Sequence, residues 1–182
     1  MKHQYSDADK QSILKSLTVL CDSREQVNHH VTEALAALKC PTQIGKLEQG
    51  DYTGLIPIRA FGGRFSDVDG YSSLADEVII ERKANLDEIA ENFTVDRRRF
   101  ESEFLRAKAN GIKVFLVIEN SSWTDIWSHN YRSRLSPKAL AGSLMSWQVK
   151  YNLTILFCRP QETGRLIYGT LYYWLKNRLD AS

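Results

Sequence analysis

The chain has 182 residues, room for one domain with a substantial core or one domain plus an extension. With 43% hydrophobic and 25% charged residues, its composition is that of an ordinary globular protein and excludes a disordered or low-complexity chain. The formal net charge of +2 and the pI near 8.4 exclude a histone-like basic tail, so a polyanionic partner would have to be held by local positive charge.

In chain order, Met1–Leu17 is polar and charged without an apolar h-region, so no secretory signal is expected. No run in the chain approaches the ~20 apolar residues of a membrane span. The expected location is the cytoplasm, or the nucleus of a eukaryote. Ser16–Cys21 is an apolar run that ends at Asp22 and predicts a buried strand. Val27, Val31, Leu35 and Leu38 recur at helical spacing between Glu25 and Lys39, and Cys40-Pro41 stops that helix. Ile44–Ile58 predicts two short strands joined around Gln49-Gly50, and the Gly-, Ser- and Asp-rich segment Phe61–Ser73 predicts a loop. Val78-Ile79-Ile80 predicts a strand that runs into Glu81-Arg82-Lys83.

A helical stretch from Leu86 to Asn110, broken near Phe93, is followed by Gly111 as a C-terminal stop. Lys113–Ile118 is a continuous apolar strand, the pattern of a strand covered on both faces. Ser136-Pro137 opens a further helix carrying Leu140, Leu144 and Trp147, Leu153–Cys158 is the next strand, and Arg165–Leu179 is a final amphipathic helix. Strands and helices alternate, which predicts a three-layer α/β/α domain around a central mixed sheet, one domain over residues 1–182. Cys21, Cys40 and Cys158 are odd in number and have no close pair, so free buried thiols are expected rather than a disulfide framework or a zinc site. His29 and His30 have no partner pattern and receive no metal role.

Asp22, Asp51 and Glu81 each stand at or near a strand end, where functional side chains are displayed. Glu81 and Lys83 are two apart on a strand, so they share one face while Arg82 points to the other. Two carboxylates suit a hard divalent cation, which polarises a phosphate and acidifies a bound water, and a neighbouring lysine orients the water and stabilises negative charge. Taken alone, an Asp followed some 30 residues later by Glu-x-Lys is a weak pattern, and an exposed salt-bridged strand end is the commoner explanation of it.

The surrounding residues sharpen it. Gly50-Asp51 and Glu81-Arg82-Lys83-Ala84-Asn85-Leu86-Asp87 resemble the GD and ERKxxxD elements of the ERCC4 (XPF/Mus81) family of nuclease domains. Asp22-Ser23-Arg24-Glu25 is similar to the family's D-x-R-E segment and Val117-Ile118-Glu119 to its L-I-E strand. Arg99-Phe100 with Glu103 and Arg106 resembles the R-F-x-x-Q-x-x-R-L region, with Glu in the usual Gln position and Ala107 in place of Leu. The resemblance covers about Leu17 to Leu156. It implies a restriction-endonuclease-like fold and a DNA endonuclease dependent on Mg²⁺ or Mn²⁺, with branched DNA as substrate and a homodimeric assembly. Asp51 and Glu81 would be metal ligands together with the backbone carbonyl of Arg82, Lys83 would be the catalytic lysine, and Asp22, Glu25 and Asp87 would line the same site. No tandem helix-hairpin-helix module follows, as expected for a compact prokaryotic or phage-encoded member, and its absence leaves plain duplex DNA open as an alternative substrate. A non-catalytic DNA-binding or partner subunit is the alternative from another class.

Several residues carry two readings. Asp87 suits the positive end of the helix that Asn85 would cap, as well as a place in the site. Arg97-Arg98-Arg99 is a solvated helix face or a phosphate-binding run on DNA. Trp123, Trp127 and Tyr131, followed by Arg132 and Arg134, suit core or interface packing, the commoner role, or base stacking. Tyr168 and Tyr173 of the last helix are candidates for an exposed dimer surface.

Overall fold

The computed structural model describes residues 5–57, 67–68 and 70–181. Among them the elements run α1 (Asp7–Lys15), β1 (Thr18–Asp22), α2 (His29–Ala37), β2 (Thr42–Gly45), β3 (Tyr52–Pro57), β4 (Asp67–Val68), β5 (Tyr71–Ser73), β6 (Val78–Lys83), α3 (Leu86–Thr94), α4 (Arg97–Ala109), β7 (Lys113–Glu119), α5 (Trp123–Trp127), α6 (Pro137–Tyr151), β8 (Leu153–Cys158) and α7 (Pro160–Asp180). The strands make one mixed sheet in the order β2-β1-β3-β6-β7-β8, with β5 beside β3 and β4 beside β5. Strands β6, β7 and β8 are parallel, each crossover carrying helices, while β3 runs antiparallel to both β1 and β6.

The period of two along β6 divides its side chains between two cores. Val78 and Ile80 join Val31, Leu35, Ile167 and Leu171 under α2 and α7. Ile79 joins Ile89, Phe93, Phe100 and Trp147 under α3, α4 and α6. The three-layer α/β/α arrangement with a mixed sheet is therefore the observed one. Helices α3 and α4 divide at Val95-Asp96, next to the break expected at Phe93, and Asn85 caps α3 by accepting the Glu88 amide at 3.0 Å. Cys21, Cys40 and Cys158 are free and buried. No helix among the described residues is long and apolar enough to cross a membrane.

Some elements depart from the sequence reading. Strands β2 and β3 are both present but do not form a hairpin: they flank β1 on opposite sides, β2 parallel and β3 antiparallel to it. The reason lies in β1, buried at all five positions and so suited to lie between two strands, whereas β2 is an edge with alternating exposure. The segment expected to be a loop, Phe61–Ser73, lies outside the described residues at 61–66 and 69, and its end forms β5, with Ser72 and Ser73 buried against β3. Small hydroxylated residues concealed that strand, because they carry no apolar alternation. Helix α2 begins at His29 rather than Glu25, leaving Val27 exposed. Helix α7 begins at Pro160 rather than Arg165. Helices α1 and α5 were not foreseen; α1 is opened by a capping box in which Ser6 and Asp9 exchange backbone and side-chain hydrogen bonds.

Candidate active site

The site is assembled at the seam between β3 and β6. Gly50 turns the chain into β3 with φ +75°, and a Cβ there would lie 2.9 Å from Ile79 Cβ, so only glycine fits without displacement. The turn presents Asp51, whose amide donates to the Ile80 carbonyl at 2.8 Å and whose carbonyl accepts the Asp22 amide at 2.8 Å. Asp51 Oδ2 accepts the Arg82 amide at 2.7 Å, and Oδ1 accepts no hydrogen bond among the described residues. Burial first, and then the charge of Glu81, raise the Asp51 carboxyl well above its ordinary pKa.

One residue along β6, Glu81 Oε1 holds Lys83 Nζ at 2.9 Å. Lys83 also reaches Glu88 at 3.4 Å and lies over the Phe100 ring, 5.0 Å from its centroid. Burial works to lower the Lys83 pKa, but the charges of Glu81, Glu88 and Asp51 and the hydrogen bond to Glu81 outweigh it, so the group stays above its ordinary value and is a cation at neutral pH. Glu103, one turn along α4 from Phe100, is half-buried and is raised by burial and by the charge of Glu81. It stands where the resemblance has Gln, and it brings a further acid to the site that periodicity alone does not single out.

Arg82 leaves the site by the opposite face of the sheet. Its guanidinium donates from Nε and Nη2 to the two oxygens of Glu119 at 2.9 and 2.7 Å, and from Nη1 to Glu25 at 2.7 Å. Glu119 also takes His30 Nε2 at 2.8 Å and the Thr163 hydroxyl, which joins β6, β7, α2 and α7 in one buried polar network. Burial would raise Glu119, but the bonds to Arg82, Thr163 and His30 hold it below the usual carboxylate range. Glu25 is raised instead, its burial outweighing Arg82. The sequence separation of 37 between Arg82 and Glu119 explains why no local motif announces the pair.

The remaining expected residues lie around this centre. Asp22 is buried with both oxygens engaged, by the Arg24 backbone and guanidinium and by the Leu47 amide at 2.7 Å. Those bonds outweigh its burial and keep its pKa low. Asp87 does not reach Lys83; its neighbour Glu88 does. Asp87 accepts the amides of Arg132 and Ser133 at 2.7 and 3.1 Å and pairs with the Arg132 guanidinium, fastening the α5–α6 loop to the start of α3. Arg97, Arg98 and Arg99 open α4, all exposed. Arg99 lies within 3.9 Å of Glu103 on the site side, Arg97 pairs with Glu101 at 3.3 Å, and Arg98 forms no hydrogen bond or ion pair among the described residues.

Two oxygens, Asp51 Oδ1 and Glu81 Oε2, have no hydrogen-bond partner among the described residues and belong to carboxylates that repel each other. Such a hard-oxygen pair fits Mg²⁺ or Mn²⁺, whose charge would relieve the repulsion. No group of three or more His, Cys, Asp or Glu side chains among the described residues is arranged to hold a metal unaided, so the fit is of the kind Mg²⁺ makes with one or two carboxylates, its other positions left to water and substrate. A cleft of about 520 Å³ lined by Lys46, Gln49, Asp76 and Ile112 opens at the starts of β6 and β7, the opposite end of those strands from Glu81 and Lys83.

Two acids and a lysine thus stand at adjoining strand ends of a mixed sheet, with helices on both faces and the Arg82–Glu119 pair beneath. The chain matches the family model "ERCC4 domain" over residues 21–170 and belongs to that family. Among solved structures it resembles XPF from Aeropyrum pernix, with 20% identity, a TM-score of 0.59, and coverage of 85% of this chain and 65% of that one. It also resembles the same protein in complex with DNA, with 22% identity, a TM-score of 0.60, and coverage of 88% and 66%. The present chain thus spans just under two thirds of those chains, and at these identities the likeness is one of fold. No curated protein matches in sequence.

Proposed function

We propose that this chain is a Mg²⁺- or Mn²⁺-dependent DNA endonuclease acting on branched DNA such as flaps, forks or junctions. The observation that carries the reading is the convergence of Asp51 and Glu81 with a protonated, tethered Lys83 in a chain of the ERCC4 family. The structural neighbour solved in complex with DNA supports a DNA partner, and Arg98 and Arg99 supply exposed local charge for phosphates.

Asp51 and Glu81 would hold the metal, with the Arg82 carbonyl beside them; the ion, when bound, supplies Lewis-acid polarisation of the phosphate and acidification of water. Lys83, held above its ordinary pKa by its acidic neighbours against burial, supplies a positive charge that positions a phosphate and stabilises the negative charge developing on it. Glu88 and the Phe100 ring hold the ammonium in place. Arg82, through Glu119 and Glu25, fixes the strand whose amide orients Asp51. A homodimer and a cytoplasmic location belong to the same proposal.

The test is cleavage of matched flap, fork, four-way-junction, single-stranded and duplex DNAs with Mg²⁺, Mn²⁺ or EDTA, beside Lys83→Ala. Metal-dependent cutting is expected to fall by at least ~10²-fold in the variant, with binding retained, as when one charge-stabilising group is removed. Undiminished cutting by Lys83→Ala overturns the assignment. No cutting by the folded wild-type chain, together with no Mn²⁺ binding by calorimetry, transfers the reading to a DNA-binding or partner subunit.

A further inference from the structure

The search for a second functional surface leads along the site face of the sheet to α5. Lys83, Ile118 and Phe157 occupy one register row across β6, β7 and β8, so they share a face, and Lys83 and Phe157 lie two strand spacings apart, roughly 10 Å. Trp123 meets the Phe157 ring edge-on at 5.3 Å between centroids, and Trp127 stacks on Trp123 at 6.0 Å with planes 25° apart. Trp127 is 60% exposed, on a helix that the core anchors through Ile126. The stack therefore begins beside the site, with its outer indole open to solvent.

Two exposed arginines, Arg132 and Arg134, lie on the loop that follows α5. Arg132, with a side chain 89% exposed, is tied to the first turn of α3 by Asp87, one residue before the Glu88 that holds Lys83. Arg134 is exposed and forms no ion pair among the described residues. The acid of α5, Asp125, is turned onto Ser122 and Asn130. Asn120 Nδ2 reaches the Ala84 carbonyl at 3.3 Å, a second tie between this rim and the end of β6. An exposed indole with arginines on the loop that follows suits an unpaired nucleotide, whose base stacks while its phosphates meet the guanidinium groups; a base inside a duplex has both faces covered by its stacked neighbours.

We propose that Trp127, backed by Trp123 and followed on the next loop by Arg132 and Arg134, is a base-stacking platform for the single-stranded arm of a branched DNA, a few nucleotides from the phosphate at Lys83. The inference rests on the nuclease reading of that site and names the feature that would separate branched from fully paired DNA. It also resolves the two readings of this aromatic cluster by division, with Trp123 packing and Trp127 presenting.

The experiment measures binding by fluorescence anisotropy with Ca²⁺ as the divalent ion, for a fork with single-stranded arms, a single strand and a blunt duplex, using wild type, Trp127→Ala, Trp127→Phe and Lys83→Ala. Trp127→Ala is expected to weaken fork and single-strand binding about tenfold, the lower part of the range for one stacked base, and to leave duplex binding unchanged. Trp127→Phe restores most of the loss. Equal affinity of Trp127→Ala and wild type for the fork overturns the platform, as does an equal loss on all three DNAs. Sedimentation showing that Trp127→Ala dissociates a dimer also overturns it, in favour of a protein interface. Cleavage of the fork in Mg²⁺ by wild type and Lys83→Ala, run in parallel, reports on the nuclease reading separately, since Trp127 touches none of its groups.

Discussion

At the residue scale, Asp51 carries the clearest energetic cost. Its carboxyl is raised by burial and by Glu81, so the folded chain binds that proton more tightly than the unfolded chain does. The metal-free protein therefore loses stability as pH rises from the ordinary aspartate value through the raised folded one, and the loss is complete at higher pH. Asp51→Asn keeps an acceptor for the Arg82 amide and removes the charge. It should raise the neutral-pH melting temperature of the metal-free protein by a few degrees, about 1 kcal/mol, with the gain shrinking as pH falls toward ~4. In the same variant, Mn²⁺ binding by calorimetry should be lost. A lower melting temperature at neutral pH would show that the charge is compensated.

Much of this centre was legible in the sequence because its signals are local. Glu81 and Lys83 share a face by being two apart, and Gly50 announces the turn that carries Asp51. Glu119 and His30 were not legible in their roles, since their meaning depends on an arginine 37 and 52 positions away in the chain (119 − 82 and 82 − 30), a proximity that only the folded sheet creates. Asp87 was legible as a helix-terminus acid, and the structure adds the loop it holds.

At the element scale, the decisive unit is the turn into β3. Gly50→Ala combines a positive φ with a Cβ 2.9 Å from Ile79 Cβ and 3.3 Å from the Ile80 carbonyl. The backbone must shift at the point where Asp51 is aimed, so the variant should lose about 2–3 kcal/mol of stability and bind Mn²⁺ more weakly. Unchanged metal affinity would show that Asp51 tolerates the movement. The strands that sequence patterning found are those with apolar runs, β1, β6, β7 and β8; of those it mispaired or missed, β2 is an edge strand, β5 is built largely of small hydroxylated residues, and β3, though central and buried, has its apolar run interrupted by Thr53 and Gly54.

At the scale of the whole molecule, the Arg82–Glu119 pair joins β6 to β7, and Glu119 extends it to α2 and α7 through His30 and Thr163. Arg82 is 7% exposed and Glu119 1%, so removing either partner strands the other's charge in the interior. Glu119→Ala should cost about 3–5 kcal/mol, which for a chain of this size lowers the melting temperature by roughly 6–20 °C. Glu119→Gln, which keeps acceptor capacity, should cost less. A melting temperature for Glu119→Ala within a degree or two of wild type would mean that Glu25 alone satisfies the guanidinium.

The seam that carries the site joins two stretches of chain made at different times on the ribosome. Asp22 and Asp51 come with β1 and β3, Glu81 and Lys83 with β6, and β3 meets β6 through one residue pair, Tyr52 opposite Ile80, beside the Asp51 amide bond to Ile80. Neither stretch holds both carboxylates. A growing chain that has reached only residue 57 lacks Glu81 and Lys83 altogether, and a mature chain whose seam has opened has Asp51 parted from them. On the proposed function, the metal pair exists only once β3 and β6 have met, so a form with that seam open would lack the means to cut.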